Sequence, residues 1–284
     1  MKRYCLSMVP LLVLLCASGE SHGADQLLNL AGPYLGQKPP GLTPELFAPG
    51  IVSTENLEIE GVFAPGMNAF YFVRQINRDP VKTYAIRNSE KGWYLASVEP
   101  RTGEIGFSIE GRTMYLGNMY RERMTSGWSE AKSLGPLFES FPVMRLTASA
   151  AGTYVFDERD EIGTIRYSHL INGKREAPQA FGKEINSGKW TAHPFIAPDE
   201  SYLIWDSERD GGYGNSDLYI SFRQDDGDWG PAINMGAEIN TEHDDAYGSV
   251  TPDGKYFFFH RVNLNEGFAN IYWVDARVID NLKH

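Results

Sequence analysis

Cysteine is almost missing from this chain. The two present, Cys5 and Cys16, both lie within the first sixteen residues. With that stretch removed as a leader, the mature protein has no disulfide and no thiolate chemistry, whatever its compartment. Basic residues are also scarce: 26 Lys and Arg stand against 37 Asp and Glu, a net charge of −11. An acidic surface argues against nucleic acid and anionic membrane as partners. After the first residues, no apolar run approaches the eighteen or so positions of a membrane-spanning helix. A Gly-x-Ser-x-Gly nucleophile elbow is absent, so Ser249 has no catalytic context. Gly211-Gly212-Tyr213-Gly214 lacks the following Lys-Ser/Thr of a phosphate loop.

The N-terminus has the layout of a secretory signal. Lys2 and Arg3 precede an apolar stretch from Leu6 to Cys16, and small residues follow up to Gly23 and Ala24. Cleavage is expected after Gly23 or Ala24. Removing residues 1–23 leaves 24 basic against 36 acidic residues, a charge of −12. The expected address is periplasmic or secreted. Cys16 offers a lipid-anchored alternative, but Leu15 fits it poorly, because lipoprotein signals resemble one another in a small residue before the Cys. About 260 residues remain, enough for one large all-β domain.

What the chain does have is a repeat. Thr251-Pro252-Asp253-Gly254-Lys255 suits a type I turn ending in a positive φ. The run Tyr256-Phe257-Phe258-Phe259 after it reads as the second strand of a tight hairpin. Positions equivalent to Gly254 are Met67, Gly111, Gly152 and Glu200, and the successive spacings are 44, 41, 48 and 54 residues. A period in the forties is the span of a four-stranded propeller blade. In Ala64-Pro65-Gly66-Met67 the glycine sits one place earlier, which suits a type II turn. The following runs keep their character better than the turns: Phe70-Tyr71-Phe72-Val73, Met114-Tyr115-Leu116, Tyr154-Val155-Phe156 and Tyr202-Leu203-Ile204-Trp205. Apolar residues on both faces mean both faces are covered, as in the middle strand of a blade.

Further strands are expected at Asp217–Ile220 and Asn270–Val274, with connectors led by Trp128 and Trp229. The fifth copy ends soon after Val274 with no outer strand left. The stretch 45–53 precedes the first turn and has no blade of its own. It is expected to complete the last sheet and close the ring, removing exposed edges. The expected organisation is a leader (1–23), an extension (24–44) and a single all-β propeller domain (45–284) of four-stranded blades, five or six in number.

The turn Thr251–Lys255, the run Tyr256–Phe259 and the related segment 197–205 resemble the repeats of TolB-like, WD-repeat-like periplasmic β-propellers. The segment from Ser207 to Tyr219, with Arg209, a glycine cluster and Asp217-Leu218-Tyr219, is similar to a second phrase of that family. The resemblance implies a propeller and no particular reaction.

Candidate chemistry is thinly spread. His243-Asp244-Asp245 is the densest cluster and is expected at the start of an innermost strand. His193 is expected at the matching place one blade earlier, with Glu60 and Glu104 in the first two. Such a ring could hold a divalent cation or a sugar. It could equally bond to the backbone of neighbouring blades and fix their spacing. Asp206, Glu208, Asp210, Asn215 and Asp217 have the composition of a calcium loop without its spacing, so no cofactor is expected beyond a divalent cation at Asp206, Asp210 and Asp217. His260-Arg261 follows the strongest strand and is a candidate ligand-binding pair. Two functions follow. One is a binding scaffold for an envelope protein or peptide. The other is a carbohydrate-active enzyme, lyase or glycosidase, using His193, His243, Asp244 and Asp245 at the channel mouth. A prolyl-oligopeptidase-like arrangement would need a hydrolase domain for which this chain has no room.

Overall fold

The computed structural model describes residues 26–283. The expected leader, with Cys5 and Cys16, lies outside them. The fold is nearly all β, with one four-residue helix at Arg277–Asp280. Its strands form five blades. The first comprises Leu57–Phe63, Ala69–Gln75, Lys82–Ser89 and Gly92–Pro100. In the second, Ile105–Phe107, Thr113–Leu116 and Met119–Met124 are followed by the short pieces Gly127–Trp128 and Lys132–Ser133. The third runs Val143–Ala148, Tyr154–Glu158, Ile165–Ser168, Gln179–Ala180 and the fourth Trp190–Ile196, Tyr202–Glu208, Asp217–Phe222, Ile233–Asn234. Asp244–Val250, Tyr256–Asn263 and Phe268–Asp275 make the fifth. The innermost strands touch one another in cyclic order, first to second through to fifth and back to first. The ring therefore has five blades.

All five hairpin turns share one closing hydrogen bond and one left-handed anchor. In each, the residue at the anchor position donates its N–H to the carbonyl three residues back, from Met67 to Ala64 through Gly254 to Thr251. Each anchor has a positive φ, including the non-glycines Met67 (59°) and Glu200 (60°). Gly66, at φ 93°, gives the first copy its type II form. The runs after the turns are the second strands, and Phe70–Val73 and Leu203–Trp205 are fully buried. Their side chains fill five apolar layers, one in each seam between blades. Covering both faces of every sheet in this way is what removes the alternation a half-solvated strand would show.

The seam between the fifth and first blades is closed by the N-terminal segment. Glu45–Leu46 pairs antiparallel with Phe268–Asp275, supplying the fourth strand of the fifth sheet. Phe47 then drops into the seam, with ring centroids 4.8 Å from both Phe70 and Phe258. Burying such a ring stabilises by roughly 2–3 kcal/mol. Ser53 Oγ donates to the carbonyl of Ile271 at 3.0 Å, fastening the end of the latch. Part of the preceding segment is also used. Gln26–Leu30 adds a fifth strand to the outer edge of the first sheet, and Tyr34 donates to the Asp253 carboxylate in the fifth-blade turn.

Candidate functional site

Four of the inner strands are broken by a bulge at mid-length. The register shifts between Ile59 and Val62, Val143 and Leu146, Ala192 and Phe195, and Ala246 and Ser249. Glu60, His193 and Tyr247 occupy the bulges with positive φ of 59°, 51° and 62°. Left-handed backbone at a bulky residue costs about 1–2 kcal/mol and must be held by its surroundings. It also takes the N–H of that residue out of its own ladder. The preceding blade provides the acceptor in each case. Asp157 Oδ2 accepts from the His193 N–H at 2.8 Å, Asp206 Oδ1 from Tyr247 at 2.9 Å, and His260 Nδ1 from Glu60 at 3.3 Å. The acceptors are themselves equivalent, each standing directly after the aromatic run of a second strand: Phe156-Asp157, Trp205-Asp206 and Phe259-His260.

By this register the fifth-blade counterpart of His193 is Tyr247, four positions beyond His243. His193 and the two glutamates do come together. His193 Nδ1 lies 2.8 Å from Asp206 Oδ1, and its Nε2 lies 3.7 Å from Glu104 Oε2. Arg101 joins the glutamates, its Nη2 donating to Glu60 Oε1 at 2.6 Å and Glu104 Oε1 at 3.3 Å. Glu104 Oε2 is buried without a hydrogen-bond partner. A cleft of about 410 Å³ opens beside the cluster, lined by Arg101, Glu104, Asn118, Met144 and Arg159.

Burial and neighbouring charge divide the titrations. Burial and the Glu104 carboxylate beside it push Glu60 up to about 7. Burial likewise pushes Asp157 up to about 6. For His193, burial works downward, but Asp206 and Glu104 outweigh it and raise the imidazole to about 10. His260 goes the other way, to about 3, through burial and the positive His193. A neutral His260 is what its role demands, since its Nδ1 accepts a hydrogen bond from the Glu60 N–H.

Two long side chains cross the axis just beyond this cluster. Tyr247 reaches from the fifth blade to donate its hydroxyl to the carbonyl of Ile105 in the second, at 3.2 Å. Arg145 reaches from the third, its Nη1 donating to the carbonyls of His193 (3.1 Å) and Gly248 (3.0 Å). The guanidinium carbon lies 3.8 Å from the centroid of the Tyr247 ring. Together they divide the channel into an ionic half and, on the turn side, an apolar half.

The other sequence candidates lie apart. His243 and Asp244 stand half-buried at the start of the fifth inner strand. Asp244 is held above the usual carboxylate range by burial, with nearby Asp206 adding to it. Asp245 is tied into a clamp, accepting from Thr241 N–H (2.7 Å), Thr241 Oγ1 (2.8 Å) and Arg261 Nε (2.7 Å). Glu58 makes the same set with Thr54 and Arg74 in the first blade. The candidate ligand-binding pair His260-Arg261 does not stand open to solvent. His260 is buried against Glu60, and Arg261 lies over the Tyr272 ring while donating to the carbonyl of Ile239. Arg209 repeats the arrangement over Tyr219, donating to Ile185.

Asp206, Asp210 and Asp217 do not converge. Asp206 faces the channel. Asp217 accepts from the N–H groups of Tyr213 and Gly214 and closes its own loop. Asp210 is solvated beside Lys189. Among the described residues, no group of three His, Cys, Asp or Glu side chains is placed to hold a metal. A cleft of about 460 Å³ in the seam between blades three and four, lined by His169, Glu200 and Trp229, holds none of the candidates.

Residues that sequence reasoning missed are Arg101, Arg145, Asp157 and Tyr247. Asp157 carried a usable signal, since it follows its aromatic run as Asp206 and His260 follow theirs. Arg145 carried another, as the one charge in the run Val143–Ala148, buried throughout.

No protein-family model matches the chain, and no curated protein matches it. Solved structures of similar fold include TolB from Acinetobacter baumannii, at 11% identity and a TM-score of 0.45, over 77% of this chain and 54% of that one. This chain thus spans about half the length of that TolB. The catalytic domain of a Coprinopsis cinerea GH62 α-L-arabinofuranosidase matches at 8% identity and a TM-score of 0.49, over 83% and 97% of the two chains. A Bacteroides ovatus xyloglucan-locus GH43B protein matches at 11% and 0.45, over 82% and 54%. Likeness at this level extends to proteins of different task and assigns none of them to this chain.

Proposed function

We propose that this chain is an exported β-propeller of TolB-like repeat type that binds an envelope protein or peptide and performs no chemistry at its axis. The observation that carries this reading is the use made of the axial polar groups. Asp157, Asp206 and His260 each accept the strained N–H of the next blade, and Arg145 and Tyr247 block the passage between the two faces. A general base or nucleophile must be free to reach a substrate, whereas these side chains are already engaged in holding blades together. The signal-like N-terminus and the Thr251–Lys255 turn support export. The ring's two loop-bearing faces suit a macromolecular partner.

The carbohydrate-active reading retains one specific support. Glu60 and Glu104 meet at a single Arg101 nitrogen, Glu60 is raised to about 7, and the 410 Å³ cleft reaches Arg101 and Glu104. A carboxyl pair with one member protonated near neutrality is what glycoside hydrolysis uses. The two readings separate in one experiment. The purified chain is incubated with a polysaccharide panel and, immobilised, with envelope extract. The scaffold reading expects no turnover, and capture of one protein that excess soluble chain competes away. Turnover that disappears in Glu104→Gln, in a variant that melts like the parent, would replace it with the enzyme reading.

A further inference from the structure

The apolar half of the channel is a funnel of about 280 Å³ opening among the five hairpin turns. Val62, Ile105, Phe107, Ala148, Phe195 and Val250 are among its walls, so every blade contributes. Arg145 lines its closed end and is 1% exposed. That side chain is buried more deeply than the other arginines described above, of which Arg209 alone also lacks a carboxylate. Arg74, Arg101 and Arg261 each meet a carboxylate, but among the described residues Arg145 makes no salt bridge. Asp157 accepts from its main-chain N–H, not from the guanidinium. Nη1 finds two carbonyls, while Nε is buried with no hydrogen-bond partner. A guanidinium has five donors, and burying it without an anion is costly. An apolar cavity with a single convergent cationic donor at its end is a recognisable ligand site.

We propose that this funnel binds a small monocarboxylate with an apolar body, the hydrocarbon lying against the walls and the carboxylate at Arg145. The walls would exclude water and strengthen the charge-assisted hydrogen bond to the guanidinium. The proposal concerns the turn-side funnel alone, so it succeeds or fails independently of partner capture or sugar turnover.

Isothermal titration of the full purified chain with octanoate, octanol and octylamine tests it. Octanoate should bind, octanol about tenfold more weakly for want of the charge, and protonated octylamine not at all. Arg145→Met should erase the preference for octanoate over octanol. Because that change also removes the bonds to His193 and Gly248, Ile109→Glu provides a second variant. Ile109 lines the funnel and is 41% exposed, so the fold should tolerate a carboxylate there, and it should weaken octanoate by about fivefold through like-charge repulsion. Equal binding of octanoate and octanol would overturn the proposal, as would binding unaffected by Ile109→Glu. Failure of octanoate alongside binding of an apolar peptide with a free C-terminus would also overturn it, because the occupant would then be a polypeptide end.

Discussion

On one side of Arg145 and Tyr247 the channel holds Glu60, Glu104, Asp157, His193 and Asp206. On the other it is walled by Val62, Phe107, Ala148, Phe195 and Val250. Much of both halves comes from the same inner strands, within a few residues of one another. What separates them is the bulge. At the bulge the main chain presents N–H groups that its own ladder does not satisfy, and an unpaired buried N–H is expensive. Polar side chains are therefore required there, and charges follow to neutralise them. Past the bulge the strands pair regularly, for example Val62 with Tyr71 and Phe195 with Ile204. No acceptor is needed there, so apolar walls can form. A dense set of titratable groups at a propeller axis thus has a structural cause before any catalytic one.

The most severe way to break the comparison is to open the ring. Deleting residues 24–56 removes Phe47 and the fourth strand of the fifth sheet, exposing a sheet edge and the largest aromatic layer. Size-exclusion chromatography with circular dichroism should find aggregate or unfolded chain. A monomer with an unchanged melting curve would contradict the latch.

Titration should act on the ionic half alone. His193 is raised to about 10, so in the folded state it holds a proton that the unfolded chain releases above its ordinary value of about 6.5. Its contribution is present below that value and is lost as pH rises toward 10. The melting temperature should fall by about 5 °C between pH 7 and pH 10, and His193→Gln should flatten that slope. Glu60, raised to about 7, adds a decline between its ordinary value and pH 7. His260, lowered to about 3, opposes it over the acid range, since the unfolded chain gains a proton there first. A pH 7–10 slope that survives His193→Gln would place the titration elsewhere.

A smaller effect is expected at the partition. Tyr247→Phe removes the hydroxyl bond to the Ile105 carbonyl and should cost about 1 kcal/mol in urea unfolding. No change would mean that bond does not bind the second blade to the fifth. The least effect belongs to the funnel rim. Ile109→Ser should shift stability by no more than about 0.5 kcal/mol, and a large loss there would show that the apolar half is core rather than cavity.

Much of this architecture could be read before the coordinates. The turns and the runs after them could be found because both are local: a Pro-Asp-Gly bend and a strand buried on both faces leave marks within nine residues. The latch could be inferred from a missing outer strand at one end and an unassigned apolar stretch at the other. The site was less legible. His193 lies seven residues before its turn anchor Glu200, and the same count from Gly254 reaches Tyr247; His243 was matched to His193 by residue type, four places too early. Asp157 and Asp206 act on the next blade, 36 and 41 residues on, and His260 acts on the first blade, 200 residues back, so no local pattern shows which N–H they serve. The partners of Arg145 were hidden for the same reason, being the carbonyls of His193 and Gly248 in two other blades.

Urea unfolding of Asp157→Ala, Asp206→Ala and His260→Ala, measured side by side, tests most directly whether the axial polar groups exist to hold the ring. Each change leaves one left-handed N–H of the following blade without its acceptor. All three should lose about 2–4 kcal/mol. Parental stability in any two of them would contradict that role and return the axis to the candidates for chemistry.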